Sequence, residues 1–378
     1  MAYRLDARET LPQGIRRIVG EQLDEAVGGL RTATPGAERD RAVHEARKAL
    51  KKSRAALRLV CDEVGSKTYK RENNALREVG RSLSASRDAA VLVETVDRLG
   101  AQVPLARRSL APLRAVLEQR RRETAARALY DGGALTAAAD EIEQIRARVE
   151  GWRLRNDVFS ALEDGLRRTY RRGSKRFAEA RDDPTDERMH EARKRVKDLW
   201  YHARIREPVW LGPMGQLVEA TDELGDHLGE DHDLAVLAET ARELAREDAD
   251  GGAGETVLTL VANRRAELRT AVWPLGRRLY ADKPKPFVRR MRALYRTWRD
   301  EHIWRLSPES AKRVRELLET QAGDDAIEQR RAGERLRRHG IHAEDLDAHL
   351  PRRNGCSTTA DFDELVERGR VRIDKQKS

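Results

Sequence analysis

Apolar residues recur every three or four positions through most of the chain, which predicts a protein built almost entirely of α-helices. In the first such segment, about 7–30, Leu11, Ile15, Ile18 and Ala26 share one face. Further helices are predicted over about 66–100, 110–130, 152–180, 213–247 and 255–280, with two basic helices that end near 64 and 206. Runs of β-branched residues are almost absent, so no substantial sheet is expected.

Two words occur twice along this pattern, in the same order. "VHEARKALKKSRAALRLV" at 43–60 corresponds to "MHEARKRVKDLWYHARI" at 189–205, and "LSASRDAAVLVET" at 83–95 corresponds to "LGEDHDLAVLAET" at 228–240. The two copies of each motif are separated by nearly the same number of residues, which indicates an internal duplication with a unit of about 145 residues. We therefore predict an all-α fold of two pseudo-symmetric four-helix bundle units packed side by side, over 1–150 and 151–305.

The remaining residues, 306–378, contain no third copy of HEARK. They are predicted to form a small C-terminal module of short helices, with "RVRI" as one terminal strand and no role that the sequence assigns. Its minor core is expected to contain five apolar residues, namely Leu346, Leu350, Phe362, Leu365 and Val366.

Composition limits the classes of protein to which the chain can belong. With 378 residues, 39% hydrophobic and 37% charged, it is long enough for two sizeable cores and too apolar for a disordered chain. Lys and Arg number 75 against 65 Asp and Glu, and the formal charge of +10 favours an anionic partner. Two cysteines cannot form a disulfide framework, and no run of about 18 apolar residues occurs. We therefore expect a cytoplasmic protein without a membrane partner.

On a helical wheel, each copy of HEARK separates an apolar face from a basic one. The apolar faces comprise Val43, Ala46, Leu50, Leu57 and Val60 in the first copy, and Met189, Ala192, Val196, Leu199 and Ala203 in the second. Beside them run a first basic stripe of His44, Arg47, Lys48, Lys51 and Arg58, and a second basic stripe of His190, Arg193, Lys194, Lys197 and Arg204. The first basic stripe extends about 21 Å along its helix.

A row of cations is most often a solvated helix face, and that interpretation stays open for both stripes. Against it, their own helices place almost no acids among these cations, although like charges at i+3 and i+4 repel. The recurrence of the pattern favours an extended polyanion as ligand. His44 and His190 are interpreted either as phosphate donors that titrate near neutral pH or as buried structural histidines. No metal site is predicted, because helix ends explain Glu223 and His227 in "DELGDHLGEDHD" equally well.

The duplicated words resemble those of a known family. HEARK followed by basic and apolar residues, and then a word of the "SRDAAVL" type, resemble the CHAD domain, and the opening "YRL" and "GIRRIVGEQLDEA" are similar to its first helix. The resemblance covers about 3–305. It implies two four-helix bundles that bind inorganic polyphosphate along a basic central groove, in some members on polyphosphate granules.

The resemblance also implies which residues line such a groove. They are the two basic stripes, Arg87 of the "SRD" word, and paired arginines of the fourth helices, namely Arg121, Arg122, Arg264 and Arg265. His232 stands in the second copy where Arg87 stands in the first, so a weaker or pH-dependent contact is expected there. Arg54 is a poorer candidate, because Trp200 takes its place in the second copy. No cofactor, metal or catalytic residue is implied.

Other functions compete with polyphosphate binding. An enzyme of polyphosphate needs a metal-holding ExExK word or a P-loop, and neither occurs, so we predict no catalysis. Nucleic-acid binding is permitted by the charge, but no helix-turn-helix or zinc motif stands out and the stripes lack aromatic stacking platforms. An accessory to polyphosphate processing, or a scaffold whose C-terminal module contacts granule proteins, is compatible with polyanion binding.

Overall fold

Helices make up most of the regular structure in this computed structural model of the chain. They are α1 (Leu11–Thr32), α2 (Ala37–Leu59), α3 (Cys61–Val64), α4 (Ser66–Ser82), α5 (Ala85–Gln102), α6 (Arg107–Tyr130), α7 (Gly132–Val149), α8 (Ser160–Asp182), α9 (Asp186–Ile205), α10 (Leu211–Glu247), α11 (Gly252–Leu279), α12 (Pro284–Glu301), α13 (Pro308–Gln321), α14 (Ala326–Arg338) and α15 (Thr359–Glu367). The strands are β1 (Trp304–Leu306) and β2 (Val371–Ile373), and single 3-10 turns cover Pro104–Ala106 and Glu207–Val209.

The structure describes residues 3–34, 36–83, 85–130, 132–154, 156–247, 252–321, 326–338, 341, 345–346, 349–350, 358–368 and 370–373. Within these ranges, the side chains of 37, 85–89, 125–130, 132, 245–247, 252–254, 321, 326–330 and 333 are not described. Among the described residues, no helix combines the length and the apolar character that crossing a membrane requires.

The helix ends follow local sequence signals. Thr10 caps α1 by accepting a hydrogen bond from the backbone N–H of Gln13. In turn, the side-chain oxygen of Gln13 accepts a hydrogen bond from the backbone N–H of Thr10. Gly65 follows α3 with a φ of 80°, a conformation that only glycine adopts without strain. The basic helix of the first copy therefore stops where the sequence predicts, after a break at Val60 that separates α2 from α3.

The apolar faces of α2 and α9 are buried as the helical wheel predicts. Each of their ten residues is at most 5% exposed. The fold class is thus confirmed as all-α, whereas the duplication and the division at residue 150 stay predictions. Two hydrophobic cores combine residues from both sides of that position, one by packing α5 and α6 against α10 and α11, and the other by joining α1, α2 and α7 to α8 and α12.

One contact between helix backbones fixes the distance between α2 and α8. A Cβ atom added at Gly165 would overlap the carbonyl oxygen of Leu59 and lie 2.7 Å from that of Arg58. Glycine therefore lets α8 lie directly on the last turn of α2, the helix that carries the first basic stripe.

The C-terminal module has its own hydrophobic core, which contains Leu350, Phe362 and Leu365, with the other two predicted residues packed against it. The strand at 371–373 was predicted, but its partner was not: β1 pairs with β2 in parallel. The module also binds the start of α1. Gln13 donates to Glu364 over 2.6 Å, and Arg370 donates to the carbonyl oxygens of Ala7 and Glu9.

Candidate functional site

The helices of the two stripes, α2 and α9, touch each other near their C-terminal ends. The buried His202 of α9 makes a hydrogen bond of 2.9 Å with the carbonyl oxygen of Ala55. Arg58 forms an ion pair of 2.6 Å with Asp198. Arg58, the last residue of the first basic stripe, is therefore held at this crossing by a carboxylate of α9.

Tyr3 lies at the crossing and gathers cations from both helices. Its hydroxyl donates to the carbonyl oxygen of Lys52 over 2.8 Å, and its ring centroid lies 5.5 Å from the Lys52 ammonium and 5.9 Å from the Arg204 guanidinium. Burial lowers the pKa of Lys52, and the positive charges of Arg204 and Lys48 lower it further, against an opposing effect of Glu25. Lys52 was missed in the sequence, although its i+4 spacing from Lys48 was a signal.

An aromatic ring, that of Trp200, accompanies the second basic stripe, and two cations of the stripe lie against it. The Lys197 ammonium lies 4.6 Å and the Arg204 guanidinium 5.1 Å from the ring centroid of Trp200. Both distances are in the range of cation–π contacts. Trp200 thus orients two cations of the second stripe.

Acidic residues of α10 lie against the second basic stripe. Lys197 pairs with Asp222 at 3.1 Å and with Asp226 at 2.9 Å, while Arg193 lies 3.8 Å from Asp233. The approach is close, because a Cβ atom at Gly225 would lie only 2.8 Å from Cε of Lys197. The second stripe was expected to have almost no acids of its own helix among its cations, but Glu191 of α9 pairs with Lys194 at 2.6 Å, and the neighbouring α10 supplies the other carboxylates.

The cations of the first basic stripe are partly or fully exposed to solvent. Lys48 pairs with Glu45 at 3.3 Å with its side chain 42% exposed, and Glu45 also lies 3.9 Å from His44. Arg47 donates to the carbonyl oxygen of Gly80 over 3.4 Å, and Lys51 is exposed. The second stripe has a similar exposure, since Lys194 is 46% exposed and pairs with Glu191 of its own helix at 2.6 Å.

The two histidines at the heads of the stripes differ in environment. The rings of His190 and His232 are 4.1 Å apart, and burial together with His232 lowers the pKa of His190 to about 4. Burial, and then the charge of Arg193, also lowers the pKa of His232. The hypothesis that His190 gains its proton near neutral pH is therefore wrong for the free protein. His44, by contrast, has a side chain that is 43% exposed.

The remaining candidates are held by carboxylates or lie outside the described part. Arg264 pairs with Glu230 at 2.8 Å, and Arg265 pairs with Asp231 at 3.1 Å and with Asp186 at the start of α9. Arg121 and Arg122 share Glu118, at 2.8 and 3.3 Å. The pKa of Arg121 is raised by its hydrogen bond to Glu118 and also by Asp40 of α2. The side chain of Arg87 is not among those described. Burial, and then Arg58, lowers the pKa of Arg54 to about 10.

The acidic word at 222–233 was the one candidate for metal binding. Within the described residues, no three His, Cys, Asp or Glu side chains are grouped as metal ligands. His227 lies 3.7 Å from Glu223, one turn away on α10. The other acids of the word serve as partners of Lys197, Arg193, Arg264 and Arg265.

The free energy of unfolding is expected to fall as the pH is lowered from about 6.5 to 4, in part through His202. Burial lowers the pKa of His202 to about 3, from 6.5 for an ordinary histidine. The unfolded chain therefore takes up the proton first, so acid favours unfolding. This one group contributes up to about 1.4 kcal/mol for each pH unit in the window.

His202→Gln removes this titration and keeps a donor for the carbonyl oxygen of Ala55. Urea denaturation at several pH values should show a shallower pH dependence for this variant. His227→Gln, on the partly exposed side of α10, is the matched control and should leave the dependence unchanged. Equal slopes for His202→Gln and the unaltered protein would contradict the prediction.

Comparisons with known proteins agree with this architecture. The family model of the CHAD domain matches residues 21–242, more than half of the chain, including both basic stripes. The chain is similar to "PptA from Streptomyces chartreusis", with 18% identity, a TM-score of 0.51, and coverage of 72% of this chain and 99% of that one. It is also similar to the CHAD domain from the plant Ricinus communis, with 20% identity, a TM-score of 0.50, and coverage of 74% and 95%. A search of curated proteins finds no match.

Proposed function

Because the chain belongs to the CHAD domain family, we propose that it binds inorganic polyphosphate, without a catalytic step, along the two basic stripes. The observation that carries this proposal is the crossing of α2 and α9. It brings Lys52 of α2 and Arg204 of α9 to the ring of Tyr3, where cations of both helices lie close together. A polyanion at the crossing reaches both stripes at once.

Polyphosphate suits this arrangement because it carries charge along its whole length and has no bases to stack. Lys and Arg donate charge-assisted hydrogen bonds to phosphate oxygens, and Arg can donate two at once. On the first stripe the ligand meets the exposed Lys51, and Lys48, which pairs with Glu45 of its own helix. On the second stripe it displaces the carboxylates of Asp222 and Asp226 from Lys197. Binding there is an exchange of anions, which yields less free energy than binding to an unpaired cation.

The direct test is a calorimetric titration with polyphosphates of defined length at two salt concentrations. If six to ten phosphates are contacted, affinity should fall by roughly 10³ to 10⁵ between 50 and 200 mM salt, by analogy with counterion release from DNA. Single-stranded DNA of equal charge serves as the competitor and should displace polyphosphate poorly. A polyphosphate affinity that does not change with salt concentration would contradict the proposal and favour another ligand. DNA that displaces polyphosphate as well as polyphosphate itself does would also contradict it.

We also propose that polyphosphate binding places the protein on polyphosphate granules. This follows from the ligand itself, because a granule presents many phosphate chains and a protein with two stripes binds such a surface multivalently. A fluorescent fusion should colocalise with granules. A fusion in which the cations of the first stripe are replaced by alanine should become diffuse. Unchanged colocalisation of that variant would argue for recruitment by another surface.

A further inference from the structure

A third row of cations runs along α12, outside both basic stripes. Its members are spaced by four, three, four and three residues, which places them on one helix face over about 21 Å. This α12 row comprises Lys285, Arg289, Arg292, Arg296 and Arg299.

Two adjoining cavities lie along the α12 row. A smaller one of about 270 Å³ is bordered by Lys285 and Arg289, and a larger one of about 450 Å³ by Arg296 and Arg299. Arg292 and Glu163 border both cavities and form an ion pair with each other, so the cavities lie next to each other along the helix. The C-terminal module closes the larger cavity with Arg368 and Arg370. This cavity therefore lies between the helical bundle and the module.

The walls of these cavities carry a clear excess of positive charge. Eight cationic side chains face three carboxylates. The cations are the α12 row together with Arg167, Arg368 and Arg370, and the carboxylates are Asp157, Glu163 and Asp300.

At the floor of the larger cavity, two buried arginines share one buried carboxylate. Arg299 forms an ion pair with Asp157 and donates to the carbonyl oxygen of Glu9 over 2.9 Å. Nε of Arg370 lies 3.6 Å from the other oxygen of Asp157, and Arg370 is only 6% exposed. Two guanidinium nitrogens of Arg370, Nε and Nη1, have no hydrogen-bond partner among the described residues. A buried cation in excess is unfavourable unless a counter-charge approaches it.

The α12 row also presents cations at the protein surface. Lys285, Arg289 and Arg296 are exposed, and none forms an ion pair with a residue that the structure describes. This distinguishes them from Lys197 and Arg193 of the second stripe, which carboxylates of α10 approach. Lys285 and Arg289 border the smaller cavity and Arg296 the larger one, so an anion that enters the larger cavity meets Arg296 first and the buried arginines behind it.

We propose that the larger cavity is a second anion site, which binds a small molecule that carries a phosphate group. The number of arginines favours a phosphate over a single carboxylate, because a phosphate accepts several bidentate guanidinium contacts at once. Its volume lies in the range of small-molecule sites. None of its residues belongs to the basic stripes, so the site is independent of polyphosphate binding there. Because α12 and the module both contribute arginines, the ligand holds the two together.

Calorimetry on the full chain tests the site with pyrophosphate as probe. Arg296→Gln should weaken pyrophosphate binding by at least about tenfold, the loss of one charged contact. Arg290→Gln is the matched control, because this exposed cation lies on α12 but borders neither cavity. It should bind pyrophosphate as the unaltered protein does. Arg370→Lys keeps the charge, loses the guanidinium fork and should also weaken binding.

Two further arms separate this site from the stripes and identify the source of the phosphate. With alanine already at Arg47, Lys48 and Lys51, Arg296→Gln should still weaken pyrophosphate binding by the same factor, whereas loss of that effect in this background would place the ligand on the first stripe and overturn the proposal. ATP in place of pyrophosphate should show the same sensitivity to Arg296→Gln, and the tighter of the two ligands indicates an organic or an inorganic source. No binding of either at millimolar concentration, or equal losses for Arg296→Gln and Arg290→Gln, would also overturn it.

Discussion

Replacing Arg47, Lys48 and Lys51 with alanine is expected to weaken the binding of long polyphosphate by roughly 100-fold or more. Each charge-assisted hydrogen bond is worth about 1.5–3 kcal/mol, and solvent at this exposed stripe reduces the three together to about 3 kcal/mol. Alanine is the best helix former, so α2 should keep its structure and the circular dichroism spectrum should not change. Calorimetry with long and short chains measures the effect.

The equivalent variant of the second stripe has alanine at Arg193, Lys194 and Lys197. It should also weaken the binding of long polyphosphate chains. It differs in a second respect, because Asp222 and Asp226 then lose their partner. The free energy of unfolding should fall by up to about 1 kcal/mol, the range of exposed ion pairs. Short chains that occupy one stripe should respond to one variant and ignore the other.

A matched control for both variants lies on α8. Alanine at Arg171, Arg172 and Lys175 removes the same charge from an exposed surface that belongs to neither stripe. This control should lower the affinity far less than either stripe variant. If all three variants weakened polyphosphate binding equally, the net charge of the protein alone would explain that binding. If neither stripe variant had an effect, the stripes would be solvated faces.

Gly165→Ala is expected to lower the free energy of unfolding by at least about 3 kcal/mol, although alanine favours helix formation. The added methyl group overlaps the carbonyl oxygen of Leu59. Because this oxygen belongs to the backbone of α2, it cannot move away by a change of rotamer as a flexible side chain can. The helix α8 must therefore move away from α2 and give up the packing between them. Chemical denaturation measures the loss.

Gly28→Ala is the matched control, because Gly28 lies inside α1 and a Cβ atom there meets nothing within 4 Å. It should stabilise the protein by about 0.5–1 kcal/mol through helix propensity alone. A similar gain from Gly165→Ala would show that α8 does not approach α2 so closely.

Within single helices the sequence was sufficient to predict much of the structure. The period of 3.6 residues fixes which side chains face the core, so the burial of Leu50 and Val196 followed directly from the helical wheel. The stop at Gly65 and the minor core around Phe362 followed from equally local signals. The strand at Trp304–Leu306 did not, because three residues are too few for a period to appear.

Contacts between helices could not be predicted in this way. Asp222 and Asp226 reach Lys197 only because α10 packs on α9, and no pattern within either helix states which faces meet. Likewise, Tyr3 joins Lys52 to Arg204 across the crossing of α2 and α9. The spacing of the α12 row can be read from the sequence. The cavities beside the row cannot, because they depend on how α12 packs against α8 and the C-terminal module.

The pairing of β1 with β2 couples the C-terminal module to the larger cavity. Arg370 immediately precedes β2, and the parallel pairing with β1 holds it at the cavity wall. Separation of the two strands would withdraw this arginine and leave the cavity to α8 and α12. A ligand that contacts Arg370 would therefore bind the paired state more tightly than the separated one, and by mass action would stabilise the module as well as fill the cavity.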